Sequence, residues 1–357
     1  MKILVINPGS TSTKWAVYND RELQWKATRN HSTEELRQFS HVIDQLKMRT
    51  EATRQALAEA QIPEEFDVVI ARGGLLRPTP SGVYAVDSKI EHDLRHSELE
   101  HACNLGGLIA REIADDAGCP AYIADPEVVD EMMPVARLTG IPIIQRRSIF
   151  HALNTKAVAR RYAWSVGHRY EDLNLILVHL GGGISVGAHR KGKVIDVNNA
   201  LNGDGPFSPE RAGSIPADQL VEVCFSGRYT QRGIKQMLNG KGGLKAHLNT
   251  TDVAMIAERA EQGREPYKTV LDAMIYRVAT EVGQRAVALR GKVDAIILTG
   301  GIAHSDYCVK GITSWIKWIA PIVVRAGEDE LDSLAFNAYG AMTGSIPISR
   351  YRPDSPA

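Results

Sequence analysis

Three apolar runs in this chain stop abruptly at glycine with polar neighbours. Ile3-Leu4-Val5-Ile6 leads into Asn7-Pro8-Gly9-Ser10-Thr11-Ser12, Leu173 to Leu180 leads into Gly181-Gly182-Gly183, and Ala295 to Leu298 leads into Thr299-Gly300-Gly301. Short apolar runs bounded by turn formers read as buried strands. Glycine at a strand end lets backbone N–H groups approach an anion with no Cβ in the way, while Ser, Thr and Lys14 add hydroxyl donors and a positive charge. One such turn is an ordinary hairpin. Three facing one cleft would make a polyphosphate cradle.

The first two runs open sections with the same layout. Lys14 to Tyr18 and Leu23 to Thr28 follow the first; Ile184 to His189 and Val194 to Val197 follow the second. Each section therefore starts as a β-meander with a glycine-rich first turn. Ile3-Leu4-Val5 matches Ile176-Leu177-Val178, and the same spacing separates Gly9 from Gly182. This predicts an internal duplication of one α/β unit; two unrelated α/β domains sharing a strand–glycine–strand habit are the alternative. A length of 357 residues suits two domains. We expect them at 1–149 and 150–330, with a closing helix at 331–345 packing back on the first. No linker rich in Pro, Gly or Ser separates them, so the halves are expected to close around a cleft.

Phe66 to Ala71, Ala121 to Ala124 and Ile322 to Val324 read as further strands. Thr33 to Ala60, Leu105 to Asp116, His151 to Ala163, Asp218 to Phe225, Thr230 to Leu238, Thr251 to Glu261, Pro266 to Leu289, Ile312 to Ile319 and Leu331 to Thr343 have helical composition. The tail from Pro347 onward is expected to be loose.

Composition removes several classes. Lys+Arg and Asp+Glu each number 42, a formal net charge of zero, which argues against a nucleic-acid scaffold. Cys103, Cys119, Cys224 and Cys308 are scattered, with no CxxC pair or zinc spacing, and read as reduced thiols of a cytoplasmic protein. The opening apolar run is too short for a signal-peptide core, and none approaches the roughly 20 residues of a membrane span. Gly187 to Lys193 approximates a P-loop, but Val194 stands where a magnesium-binding hydroxyl belongs. Gly183-Ile184-Ser185-Val186-Gly187 fits GxSxG, yet Ser185 falls in a strand rather than a strand–turn–helix elbow.

The motifs carry a specific resemblance. Val5 to Lys14 resembles the first signature of the acetate/butyrate kinase family, and Val178-His179-Leu180-Gly181-Gly182-Gly183-Ile184-Ser185 resembles the second. Arg72-Gly73-Gly74-Leu75-Leu76-Arg77-Pro78, Phe150-His151-Ala152-Leu153-Asn154 and Leu298 to Ser305 look like its butyrate branch. The resemblance spans nearly the whole chain. It implies an α/β fold of duplicated actin-like, ribonuclease H-like ATPase domains with a nucleotide cleft between them. It also implies a kinase that transfers phosphate between ATP and a short-chain carboxylic acid, by way of the acyl phosphate, with Mg2+.

Such chemistry needs no strong general base, because a carboxylic acid with a pKa of ~4–5 is already an anion at neutral pH. It needs cations and donors that hold two anions in line. By resemblance, Arg211 is the phosphoryl-stabilising arginine, His151 contacts the migrating phosphoryl, His179 follows the second phosphate strand, and Asp125 is the catalytic carboxylate. Asn7, Ser10, Ser12, Lys14 and Gly181, Gly182 and Gly183 would hold phosphates, and Gly300, Gly301, Ile302 and Ala303 the adenosine. Glu328, with Asn7, is the metal choice, although Asp329 and Glu330 lie within reach of the same motif. Arg72 and Leu75 would face the acid; acetate kinases carry an arginine where Val69 stands here. Family likeness also implies a homodimer or higher homo-oligomer, with no nucleic acid and no membrane partner. Acetate, propionate or branched-chain specificity, or a non-catalytic actin/Hsp70-like ATP-binding module, are the competing readings.

Overall fold

Ile3 to Ile6 are wholly buried because β1 (Lys2–Pro8) lies inside a sheet. It pairs antiparallel with β2 (Ser12–Asn19), which pairs antiparallel with β3 (Glu22–Asn30). On its other side β1 runs parallel to β4 (Val68–Arg72). β5 (Val83–Ala85) and β6 (Ala121–Ala124) extend the sheet beyond β4. The helices Asn104–Ala117 and Glu330–Met342 both pack on β1, β4 and β6. Strands covered in this way read as continuous apolar runs rather than alternating ones. The architecture comes from a computed structural model that describes residues 1–97, 100–328 and 330–352.

A second sheet repeats the plan. β7 (Asn174–Leu180), β8 (Ile184–Arg190) and β9 (Lys193–Val197) form an antiparallel meander. β10 (Ala295–Gly300) runs parallel to β7, and β11 (Ile322–Ala326) runs parallel to β10. The order β3-β2-β1-β4-β6 in one sheet therefore corresponds to β9-β8-β7-β10-β11 in the other, as expected of a duplicated actin-like unit. Alternate residues of β7 serve two cores. Ile176, Val178 and Leu180 join Leu271, Met274 and Val278 of the long helix Tyr267–Ala288, whereas Leu175 and Leu177 join Val158 and Ala159 of the helix Ala152–Ser165. That period of two is the pleat of a strand covered on both faces.

The chain divides into Met1–Asp130 with the C-terminal segment, and Glu131–Glu328. The first division falls before residue 149. Residues 131–149 bond into the second sheet: Met133 N donates to Ile195 O at 2.9 Å, Arg146 Nη1 to Asp196 Oδ1 at 2.8 Å, and Ala200 N to Ile149 O at 2.9 Å.

Several elements differ from the sequence reading. The stretch from Thr33 is broken into a short helix Thr33–Arg37, a 3-10 turn Val42–Gln45 and the helix Leu46–Glu59. The helix expected at 312–319 is Asp306–Ile316, capped by Ser305. The helix Ser88–Arg95 was unforeseen; Asp87 caps it by accepting from Lys89 N and Ile90 N. The tail is not loose through residue 352. β12 (Ile348–Ser349) pairs with β5, and Tyr351 is buried, donating to Asp93 Oδ2 at 2.6 Å. Among the described residues no helix is long and apolar enough to cross a membrane.

Candidate active site

In the second unit the turn between β7 and β8 is the organising feature. Gly181 N donates to Gly183 O at 3.2 Å. A Cβ on Gly181 would lie 3.0 Å from His179 Nε2, and one on Gly183 would lie 1.7 Å from Arg211 Nη1. The turn thus sets a buried imidazole against one glycine and a guanidinium against another. Arg211 donates to the Ala200 carbonyl through Nη1, while its Nε is buried without a hydrogen-bond partner among the described residues. Burial lowers the Arg211 pKa, and Glu210 opposes that shift. The loop carrying it is pinned by Ser208, whose N bonds Arg211 O at 3.0 Å and whose Oγ donates to Gly182 O at 2.6 Å.

His179, near the end of β7, is fully buried. Its Nδ1 lies 3.0 Å from Asn154 Oδ1. An amide oxygen only accepts, so the contact places a proton on Nδ1. Nε2 lies 3.1 Å from Glu328 Oε1. His151, just before the helix Ala152–Ser165, stacks on His179 with centroids 3.7 Å apart, and its Nδ1 lies 3.0 Å from Ser185 Oγ.

A cleft of ≈ 830 Å³ opens from this turn and is lined by Gly181, Gly182, Ala257, Gly301, Ile302 and Tyr307, among others. Its size and its combination of apolar wall and glycine amides suit a nucleotide. Glu210 and Glu328 also line it. The adenosine residues expected from sequence divide. Gly301 and Ile302 line the cleft, whereas Gly300 and Ala303 are absent from its lining. Gly300 has φ 88° and exchanges hydrogen bonds with Gly327, which shapes the turn behind it.

In the first unit, the turn after β1 is held from within by a residue that local sequence did not flag. Arg49, fully buried, donates to Gly9 O at 3.1 Å, Ser12 O at 3.2 Å, Thr13 Oγ1 at 3.0 Å and Ser10 O at 3.3 Å. With those carbonyls engaged by Arg49, its burial lowers the guanidinium pKa to about 10. Ser10 is exposed on the turn, 3.3 Å from His101 Nε2, and Lys14 is exposed opposite Asn7 in the β1–β2 register.

The first unit places a further acid beside Asn7. Asn7 Nδ2 donates to Glu330 Oε2 at 2.7 Å, and Arg72 Nη1 lies 3.2 Å from the same oxygen. Arg72 Nε lies 2.6 Å from Glu127 Oε1. The acid that Asn7 holds in its own unit is therefore Glu330, whereas Glu328 sits beside His179; Asp329 lies outside the described residues. Arg72, expected to face the acid substrate, is clasped by two carboxylates. Asp125 is buried with φ 38°, and its Oδ1 accepts from Ser81 Oγ at 2.5 Å and Gly82 N at 3.0 Å. Those bonds brace the turn at the end of β6. Leu75 is buried, its N–H donating to Asn104 Oδ1 at 2.7 Å.

Arg49, His101 and Glu127 carried no local signal, and Ser185 stood in two quoted motifs without an assigned role. Asn154 stood inside a quoted motif, but three residues after His151 rather than near His179.

The acetokinase family model matches residues 137–316. The chain is 64% identical to a probable butyrate kinase of Phocaeicola vulgatus over 99% of this chain and 100% of that protein. It is 47% identical to butyrate kinase 1 of Clostridium acetobutylicum, covering 98% and 99% of the two chains. The crystal structure of Porphyromonas gingivalis acetate kinase has the same fold, with a TM-score of 0.75 at 18% identity over 96% of this chain and 99% of that one.

Proposed function

Because the chain belongs to the acetokinase family, we propose that it is a butyrate kinase, catalysing ATP + butanoate = ADP + butanoyl phosphate by direct in-line transfer. The observation that carries this reading is the turn 181–183: Gly181 and Gly182 line a nucleotide-sized cleft, while His179, stacked on His151, packs against Gly181 and Arg211 packs against Gly183.

In this reading the cleft takes the adenosine along Ile302 and Tyr307, and the phosphates meet the amides of Gly181 and Gly182. Arg211 stabilises charge on the transferring phosphoryl group, and His151 contacts its oxygens with His179 stacked beneath it. From the first unit, Asn7, Ser10, Ser12 and Lys14 serve phosphate, and Arg49 keeps their turn in shape. Arg72 and Leu75 serve the acid, with Glu127 and Glu330 fixing the Arg72 guanidinium. Asp125 braces the strand end that leads to Glu127. The acid arrives ionised, so positioning replaces proton abstraction.

ATP and ADP are the nucleotides of this family. The oxygens of Asn7, Glu330 and Glu328 are hard donors of the kind Mg2+ takes. When bound, Mg2+ would neutralise phosphate oxygens. We place the enzyme in the cytoplasm as a homodimer or higher oligomer, which the exposed Tyr276, Val287, Trp315 and Trp318 of the second unit support. Acyl phosphates are stronger phosphate donors than ATP, so the net direction in a cell runs toward ATP.

Trapping acyl phosphate as the hydroxamate, with butyrate, propionate, acetate and isobutyrate in parallel, tests the assignment. Butyrate should give the highest kcat/KM. Neighbouring chain lengths should follow within roughly 10–200-fold, since one methylene is worth only ~1–3 kcal/mol. ATP binding without hydroxamate from any acid would favour a nucleotide-binding module.

A further inference from the structure

In the first unit His101 Nδ1, Cys103 Sγ and the Glu127 carboxylate all lie within 4.8 Å of one another. We propose that this trio is a regulatory site for a borderline-soft divalent cation, Zn2+ foremost, and that the ion reversibly inhibits the enzyme. The inhibitory half of the proposal rests on the kinase reading; the binding half does not.

The donor set selects the metal. Thiolate and imidazole favour zinc, whereas Mg2+ prefers oxygen ligands alone. Three protein ligands leave a tetrahedral zinc one open position. The ligands also come from well-held backbone. Cys103 immediately precedes the helix Asn104–Ala117, and the Asn104 side chain bonds Leu75 N. Glu127 is anchored by Arg72, whose Nε contacts Oε1 and leaves the second carboxylate oxygen for an ion.

Charge accounting points the same way. Arg72 is one cation between two carboxylates, Glu127 and Glu330. A dication that enters as the Cys103 thiol loses its proton adds one net positive charge, which cancels that excess. Coordination forms a Zn–S bond, breaks the S–H bond and releases that proton to solvent, so binding tightens as pH rises.

Inhibition follows from distance. His101 Nδ1 and Cys103 Sγ are 2.9 Å apart. Zn–S of ~2.3 Å and Zn–N of ~2.0–2.1 Å at tetrahedral angles require about 3.5 Å between them. The imidazole must therefore shift outward, and its Nε2, 3.3 Å from Ser10 Oγ, moves with it. The ion thus disturbs the turn assigned to phosphate.

The experiment uses the full chain, freed of metal by chelation and titrated with Co2+. One equivalent should produce a near-ultraviolet thiolate-to-cobalt charge-transfer band, which Zn2+ abolishes and Cys103→Ser lacks. Zn2+ added over saturating Mg2+–ATP should lower kcat about tenfold, the scale of loss for a misplaced orienting contact. A chelator should restore it. Cys103→Ser should keep its melting temperature and basal rate while resisting zinc. Absence of the band, or its persistence in Cys103→Ser, overturns the site. A Cys103-dependent band with zinc-insensitive kcat overturns the inhibition. If no acid supports turnover at all, the band still decides the site, while the kinase reading fails separately.

Discussion

His151 lies flat on His179, with ring planes 12° from parallel. Each ring is oriented by its own partner, Ser185 for His151 and Asn154 for His179. Neither can rotate without breaking both its hydrogen bond and the stack. The arrangement fixes the His179 ring beside Gly181 and the His151 ring upon it, the kind of fixed geometry that phosphoryl transfer between anions demands.

Asn154 should therefore matter to turnover although it is buried behind the ring. Asn154→Leu removes the acceptor that keeps the His179 proton on Nδ1. We expect kcat to fall on the order of 10–100-fold with KM for ATP little changed, as for loss of a group that orients a functional histidine. Asn154→Asp, which retains an acceptor, should recover part of the rate. Wild-type kcat in Asn154→Leu would remove Asn154 from the positioning scheme.

Two neighbouring glycines should behave differently. A Cβ on Gly183 meets Arg211 Nη1 at 1.7 Å and Ala200 O at 3.0 Å, whereas one on Gly182 finds nothing nearer than Glu210 Oε2 at 3.8 Å. Gly183→Ala should displace the guanidinium and cost roughly 10²–10³ in kcat, close to the loss in Arg211→Ala. Gly182→Ala should stay within a few-fold of wild type. Equal activity of the two glycine variants would contradict the placement of Arg211.

Gly300 is a stability position. It combines φ 88° with a Cβ site 2.4 Å from Leu180 O, so alanine brings both a disfavoured backbone and a collision. Urea denaturation of Gly300→Ala should show a loss of about 2–4 kcal/mol.

Arg49 should link stability to phosphate binding. Arg49→Met removes the side-chain donor to the Gly9 and Ser10 carbonyls, each costing about 1–3 kcal/mol where water cannot reach. Alongside the fall in stability, nucleotide KM should rise; an unchanged KM in a folded variant would confine Arg49 to a structural role.

Acid should destabilise the protein through His189. It is fully buried on β8, 2.6 Å from the Tyr170 hydroxyl, and burial, aided by Lys156 and Arg160, holds its pKa well below 6.5. Burial lowers the pKa of His31 as well. The unfolded chain takes up protons on both as pH falls through about 6.5, while the folded protein does not, so stability is full above that value and declines below it. The slope should reach up to about 1.4 kcal/mol per pH unit for each histidine. Denaturation midpoints between pH 7.5 and 5, flattened in His189→Asn, provide the check.

The sheets were legible because their signals are local. Apolar runs at Ile3–Ile6 and Leu175–Leu180, each stopped by glycine, need no distant partner to be read as strands, and their repetition carried the duplicated architecture. β5 and β12 were illegible because each is too short to show a period, and each is stabilised only by pairing with a strand far away in sequence.

Glycine turns could be named from residue type and spacing, and the Arg211 loop and the two histidines from the family resemblance of their motifs. The partners of those groups could not. Glu330 meets Asn7 from 323 residues away, Asn154 holds His179 from 25 residues away, and Arg49 reaches back 40 residues to Gly9. Periodicity records which face of an element is apolar, because burial of that face is a local demand. Which buried donor meets which acceptor is settled by the requirement that each lose water only in exchange for a partner, and that exchange exists only once the chain is folded.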